Sequence, residues 1–515
     1  MNQKIISGPD PGQSFIHFIL FEKKNRSYLL VAGAATVVQF IVFKLLYPYP
    51  DFFSDSWSYI SAASANLDIN IWPIGYSKFL MAFHSLTHSD IAVVAFQYFF
   101  LEFSTLYLFF TLLYFYTPSR TTKNILFIFL FFNPLFLYLS NYINSDPLFA
   151  GLSLCWIGEL LWIVNRPRPY HILSQAILLF LAFTVRHNAL YYPFVAAIAF
   201  AISRERLWVK LAGAASGFVL AGLFVIHEQD AAYQMYGLKQ FSPMSGWLLA
   251  NNALYIRGQI HVDSSQLPSA ETKELDRLSR KFYSDQPSDF HEYLAAYVAN
   301  FFIREPSAPL KQYFSQHYRP KDNHENVKAW GQASVVFSEY GKYLIKNYPI
   351  AFTRYFILLN TKNYFFPPLE KLEVYNLGED DVPANVQDWF DFKTPNVSAI
   401  SKDMQASILS PFPYLFFFAN VLFIGSLIWL FAKGQYHLMA RELRTGLFLV
   451  SGFLIANFCF CVFTTIIVLR YQFFPLIITL AFPLLLIEYL DKKETENKKV
   501  VSPGTDSVNL ELSQA

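Results

Sequence analysis

Apolar runs separated by short polar stretches set the plan of this chain, at 28–47, 91–116, 124–141, 147–164, 172–186, 188–203, 209–226, 411–432, 445–467 and 472–490. They are continuous rather than alternating, and most reach the roughly 17–25 residues a helix needs to cross a hydrocarbon core. Barrel strands alternate and are only about 10 residues each, so an outer-membrane barrel is excluded. The fifth and sixth runs are short and share a boundary at Arg186-His187-Asn188. The pattern predicts an all-α polytopic membrane protein, a bundle of about ten transmembrane helices. A segment 1–27 precedes spans one to seven (28–226), whose first outer loop, 48–90, carries interfacial helices. A polar, mostly helical insertion, 227–410, comes before spans eight to ten (411–490) and a tail, 491–515, expected to be disordered. Within the insertion 343–366 is partly apolar, but Lys346, Arg354 and Lys362 recur through it, so it is expected to lie in the interface.

Composition agrees. Charged residues make up 15% of the 515, against about 25% in water-soluble domains, and there are 55 Phe and 32 Tyr. A net charge of +2 gives no basic field for nucleic acid. Cys155, Cys459 and Cys461 all fall in apolar runs and read as buried thiols rather than disulfides or metal ligands. Lys23, Lys24 and Arg26 precede the first run, which is long enough to span and reads as an uncleaved signal anchor.

Loop charge predicts orientation. With the N-terminus inside, the inner loops hold Arg120 and Lys123, Arg166 and Arg168, Arg204 and Arg206, and Arg441 and Arg444. The short outer loops hold little beyond Lys78, Arg186 and Arg470. Both termini are therefore expected to be cytoplasmic and any active site extracytoplasmic; compact loops and the lack of a retrieval signal favour the plasma (inner) membrane, with the endoplasmic reticulum as the alternative.

On that outer side four elements carry polar residues at boundary depth. They are the loop after span one with Asp51 and Asp55, the stretch 141–146 ending at Asp146, Arg186-His187-Asn188, and Arg470-Tyr471. Charge at a bilayer boundary is costly unless solvated or functional. Carboxylates could take a proton from an acceptor hydroxyl, and Arg suits phosphate through its paired donors. Each residue also has an ordinary reading. Asp55 and Asp146 could cap helices, Asp146 with Pro147 at the first helical position. Arg186 and Arg470 could snorkel, and Lys78 could be an interfacial lysine. Asp55 and Asp146 could jointly hold Mg²⁺ or Mn²⁺, though no ligand spacing demands it. His84 and His88 lie four apart with Asp90 nearby, yet a third clear ligand is missing and a plain helix face is the simpler reading.

Asp55-Ser56-Trp57-Ser58-Tyr59, an acidic residue with an aromatic four on, followed by Trp72-Pro73-Ile74-Gly75-Tyr76, resembles the GT-C superfamily of polyprenyl-phosphate-sugar-dependent glycosyltransferases. Protein O-mannosyltransferases and lipid A aminoarabinose transferases belong to the same style of enzyme. Ser145-Asp146-Pro147 looks like the family's second acidic position. Arg186-His187-Asn188-Ala189 with Pro193, and Leu469-Arg470-Tyr471 with Pro475, resemble its later basic positions. Many relatives have two adjacent acidic residues in the first loop, whereas Ser56 follows Asp55 here and Asp51 lies four earlier. The base is thus Asp55 or Asp51, with Tyr59 at the family spacing favouring Asp55. The resemblance covers 28–226 and 411–490 and says nothing of the insertion.

It implies a GT-C-like bundle and an integral membrane glycosyltransferase working with inversion. A polyprenyl-phosphate sugar would be the donor, and a hydroxyl of a glycan, lipid or protein the acceptor. Catalytic residues would be Asp55, Asp146 and Asp51; substrate would meet Arg186, His187, Arg470, Tyr471, Tyr59, Lys78 and Tyr76. Rival expectations are a lipid-linked polysaccharide ligase or polymerase, which would share the outer site, and a transporter or flippase of lipid-linked sugars. The last would call for mid-membrane charges and repeated halves, and no repeat is visible.

Overall fold

The computed structural model describes residues 13–296 and 300–501. Among them every regular element is helical, and the only strand-like pairings are two isolated bridges, Asp51 with Tyr142 and Asp381 with Asn396. Eight helices are long and apolar enough to cross a membrane, from Lys23–Leu46 to Leu469–Glu496. The protein is thus an all-α polytopic membrane protein.

Two of the ten expected spans are shorter than these eight. The fifth and sixth runs form the shorter apolar helices Tyr170–Val185 and His187–Ile202. At about 1.5 Å per residue such helices reach about 24 Å, less than a hydrocarbon core of about 30 Å. The third run is broken as well, into Arg120–Phe131 and Pro134–Asn141. Pro134 has no amide hydrogen to continue the ladder, and the Asn133 side chain caps the restarted helix at Leu135 N, 3.0 Å away. The seventh helix, Leu207–Tyr236, runs past its expected end and stops at Gly237, whose φ of 77° suits a residue without Cβ.

The termini also differ from expectation. Phe15–Leu20 is a short helix, and the Phe15 ring packs edge-on to Tyr114 and Trp162 at 5.4 and 5.1 Å. Helix Phe473–Val501 carries order through the first part of the tail expected to be disordered, because 491–501 continue a helix already nucleated in the bundle. The remaining tail, 502–515, and residues 1–12 lie outside the described residues.

The insertion divides between two cores. From Met244 to Phe356 it builds its own apolar cluster around Trp247, Tyr255, Phe302 and Phe337. There Ser245–Leu254 packs on Asn323–Asn347, with Trp247 stacked on Trp330 at 3.9 Å. Gly246 permits the approach, since a Cβ there would lie 1.8 Å from the Ser334 carbonyl oxygen. Beyond it, Leu369, Leu372, Tyr375, Val386 and Trp389 join the core of the membrane bundle. The candidate site lies where these two parts meet the bundle.

Candidate functional site

Two helices fold back from the first loop, Ser54–Ser64 and Gly75–His84. Asp55 stands in the first turn of the former, where the helix dipole favours a negative charge. Asp51 just before it is a tether. Its amide donates to Asn141 O at 2.9 Å, and its carbonyl accepts from Ile143 N at 3.1 Å. This pairing brings the Asp55 loop against the Asp146 loop. The Asp51 carboxylate is buried, accepts from Asn376 N at 2.8 Å, and is pushed up to about 7 by that burial. The sequence reading left it as an alternative base; the structure turns it away from the cavity and into the junction.

Arg470 joins the other elements. Its Nη1 donates to Asp146 Oδ2 at 3.0 Å, its Nε to Glu370 Oε2 at 3.3 Å, and its Nη2 lies 3.6 Å from Asp55 Oδ2. Arg186 donates to the other oxygen of Asp146 and to Ser145 Oγ. Arg304 pairs with Glu370 at 2.5 Å, and Lys371 Nζ lies 3.5 Å from Asp55 Oδ1. Three carboxylates therefore face four cations in one buried cluster, leaving one positive charge over.

The backbone that presents Arg470 is fixed from outside the cluster. Buried Asn360 donates to Val462 O at 2.9 Å and Thr465 O at 2.6 Å, and accepts from Ile467 N at 2.9 Å. It thus satisfies carbonyls that the end of helix Arg441–Thr464 leaves open. Leu469 N then donates to Pro368 O at 2.9 Å, locking Arg470 beside Glu370. Glu370 itself sits at a φ of 55°, an uncommon conformation for a residue with a Cβ, at a point where two guanidiniums grip its side chain.

A cavity of about 530 Å³ opens against this cluster. Asp55, Arg470, Tyr471 and Arg304 line it, with Trp57, Trp72 and Trp330. Asp55 keeps 14% of its side chain exposed, against 3% for Asp146 and 4% for Arg470. Its contacts to Lys371 and Arg470 are long, so it is the carboxylate of the cluster with room for a further partner. Burial opposes its ionisation, yet Lys371, Arg470, Arg304 and Arg186 outweigh it and hold the Asp55 carboxyl below its usual range. Burial drives Lys371 the other way, down to about 7, against the pull of Asp55.

Of the residues named from sequence, Asp55, Asp146, Arg186, Arg470 and Tyr471 come together. Asp146 does not line the cavity; Asn144, Arg186 and Arg470 engage its two oxygens. Arg186 lies behind Tyr471, 4.8 Å over that ring. Tyr59 is buried, its hydroxyl 3.0 Å from Ser145 Oγ, and Tyr76 donates to Gln97 at 2.6 Å; neither lines the cavity. His187 packs against Phe241 at 4.4 Å, away from the cavity wall. Lys78 pairs with Asp68 and Asn66 at the surface. These four expected substrate contacts therefore stand outside this cavity's wall, each held by neighbours that the sequence conceals. His84 stacks on His88 at 3.9 Å and on Trp389, a packing arrangement.

Arg304, Glu370 and Lys371 were missed. For the last two the signal was a charged pair one residue beyond Pro367-Pro368 and the apolar Tyr364-Phe365-Phe366, where a turn returns to the bundle. A divalent cation does not fit the two carboxylates, because the Arg470 guanidinium occupies the place between Asp55 and Asp146. Among the described residues, no group of three or more His, Cys, Asp or Glu is placed to hold a metal ion. Compared with known proteins, the chain matches no family model, no curated protein and no solved structure.

Arg470→Met should lower stability by about 3–5 kcal/mol, since it strands buried carboxylates, and thermal unfolding in detergent reads this. Arg470→Lys should recover little, because a point charge cannot serve Asp55, Asp146 and Glu370 together. Lys371 is charged below its depressed pKa of about 7 and neutral above it, so the cluster's surplus positive charge is present at lower pH. Affinity for inorganic sulfate, whose own charge is constant, should fall as pH rises through about 7, and Lys371→Arg should flatten the profile.

Proposed function

We propose that this protein is an integral membrane glycosyltransferase of GT-C type. It moves a sugar from a polyprenyl-phosphate donor to an acceptor hydroxyl, with inversion at the anomeric carbon. One observation carries the reading: a carboxylate with open coordination, Asp55, shares a cavity wall with two guanidiniums, Arg470 and Arg304. A base beside a phosphate-binding fork is the minimum such a transfer needs. The volume, about 530 Å³, falls in the usual range for small-ligand sites.

In this mechanism Arg470 and Arg304 hold the donor phosphate, and the surplus positive charge offsets the charge that grows on it as the sugar leaves. Asp55 accepts the proton of the acceptor hydroxyl while that oxygen attacks the anomeric carbon from the face opposite the phosphate. The new carbon–oxygen bond forms as the old one to phosphate breaks, and the lipid phosphate departs as an anion. The neighbouring cations keep Asp55 ionised and ready, at some cost in basicity. Asp146, with Arg186, fixes the rotamer of Arg470 and is a positioning residue. In this reading the chemistry lies on the extracytoplasmic side of a plasma membrane, with both termini cytoplasmic, an orientation that the loop charge favours.

Asp55→Asn keeps size and hydrogen-bond acceptance but not the proton acceptor. It should reduce transfer of radiolabelled sugar from lipid-phosphate donors by at least about 10²-fold, with gel-filtration behaviour unchanged. Undiminished transfer would remove Asp55 from the reaction.

A further inference from the structure

Lys311 lines the same cavity from the insertion, on helix Pro309–His317. Its Nζ sits 4.9 Å over the Trp330 ring and 5.7 Å from that of Trp247. Among the described residues no carboxylate pairs with it, in contrast to every cation of the Asp55 cluster. Burial lowers its pKa, and no charged neighbour contributes to the shift. A lysine with only a solubilising role would turn its ammonium to open water. This one is kept partly desolvated against indole faces, at the wall of a cavity that already carries surplus positive charge.

The rest of that wall has a particular chemistry. Trp57, Trp72 and Trp330 offer aromatic surface, and Ser61, Asn323 and Asn326 offer hydroxyl and amide groups. Indole faces suit the C–H faces of pyranose rings, and amides suit their hydroxyls. An apolar acyl chain would leave these polar groups unmatched.

We propose that Lys311 forms a second anion position, separate from Arg470 and Arg304, which takes the carboxylate or phosphate of an acidic saccharide. That this saccharide is the acceptor rests on the transferase reading; the anion position itself does not. Two anionic substrates in one cavity would repel unless each had its own cation, and the wall supplies one at each place.

The test is equilibrium binding to the purified full-length protein in neutral detergent at low ionic strength. The probes are methyl β-glucuronide and methyl β-glucoside, which differ only in the carboxylate. Wild type and Lys311→Arg should bind the glucuronide about tenfold more tightly or better, the gain of a charge-assisted hydrogen bond. Lys311→Gln should lose that preference; if it fails gel filtration, Lys311→Met, which keeps the stem against the indoles, takes its place. Equal binding of the two sugars by wild type, or a preference that survives loss of the ammonium, overturns the proposal. So does loss of glucuronide binding in nanodiscs containing phosphatidylglycerol but not phosphatidylcholine, because the anion would then be a lipid headgroup. Binding is read without transfer, so an inactive transferase with Lys311-dependent binding leaves the anion position standing. Active transfer without any preference removes this inference alone.

Discussion

One guanidinium holds the site together. Arg470 reaches Asp146 at the head of one span, Glu370 at the return from the insertion, and Asp55 in the first loop. Burying these charges is expensive, and only mutual pairing makes it tolerable. The geometry therefore has little freedom: displacing any partner leaves another charge uncompensated. Much of the surrounding structure serves that constraint. Asn360 and Pro368 fix the backbone before Arg470, and Asp51 ties the first loop to the second and to the turn at Asn376.

The pairing is also unequal, and the inequality is where chemistry can enter. Asp146 is saturated and Glu370 is gripped by two guanidiniums, whereas Asp55 has long contacts and faces the cavity. Four cations against three carboxylates leave the cluster short of one anion. In the proposed reaction the donor phosphate supplies it. The same surplus depends on Lys371, whose burial lowers its pKa to about 7, so the pull on an anion is coupled to pH.

The apolar runs were legible because a hydrocarbon core demands long apolar stretches, and all ten are helical, the third as two helices. The fine geometry was not legible: Pro134 breaks a run, and two of the apolar helices are shorter than 18 residues. The convergence of Asp55, Asp146, Arg186 and Arg470 was legible too, since outer charges at boundary depth have few reasons to exist. The places of Asp51, Tyr59, Tyr76 and His187 outside the cavity wall were not legible, because sequence cannot show which way a side chain turns. Their partners, Asn376, Ser145, Gln97 and Phe241, lie far away in the chain. Arg304, Glu370 and Lys371 were hidden in an insertion whose charges look solvated. Only the return of the chain at Pro367-Pro368 brings the last two under the bundle.

The proposed reaction gives this cavity's unmatched positive charge to a lipid phosphate. Binding of polyprenyl phosphate and of the corresponding polyprenol, which lacks the phosphate, tests it directly by native mass spectrometry of the purified protein. One polyprenyl phosphate should bind per chain, with weak or absent polyprenol and a clear loss in Arg304→Gln, where the partly exposed Arg304 can be changed with least harm to the core. Equal retention of the alcohol and the phosphate, by wild type and variant alike, would contradict it.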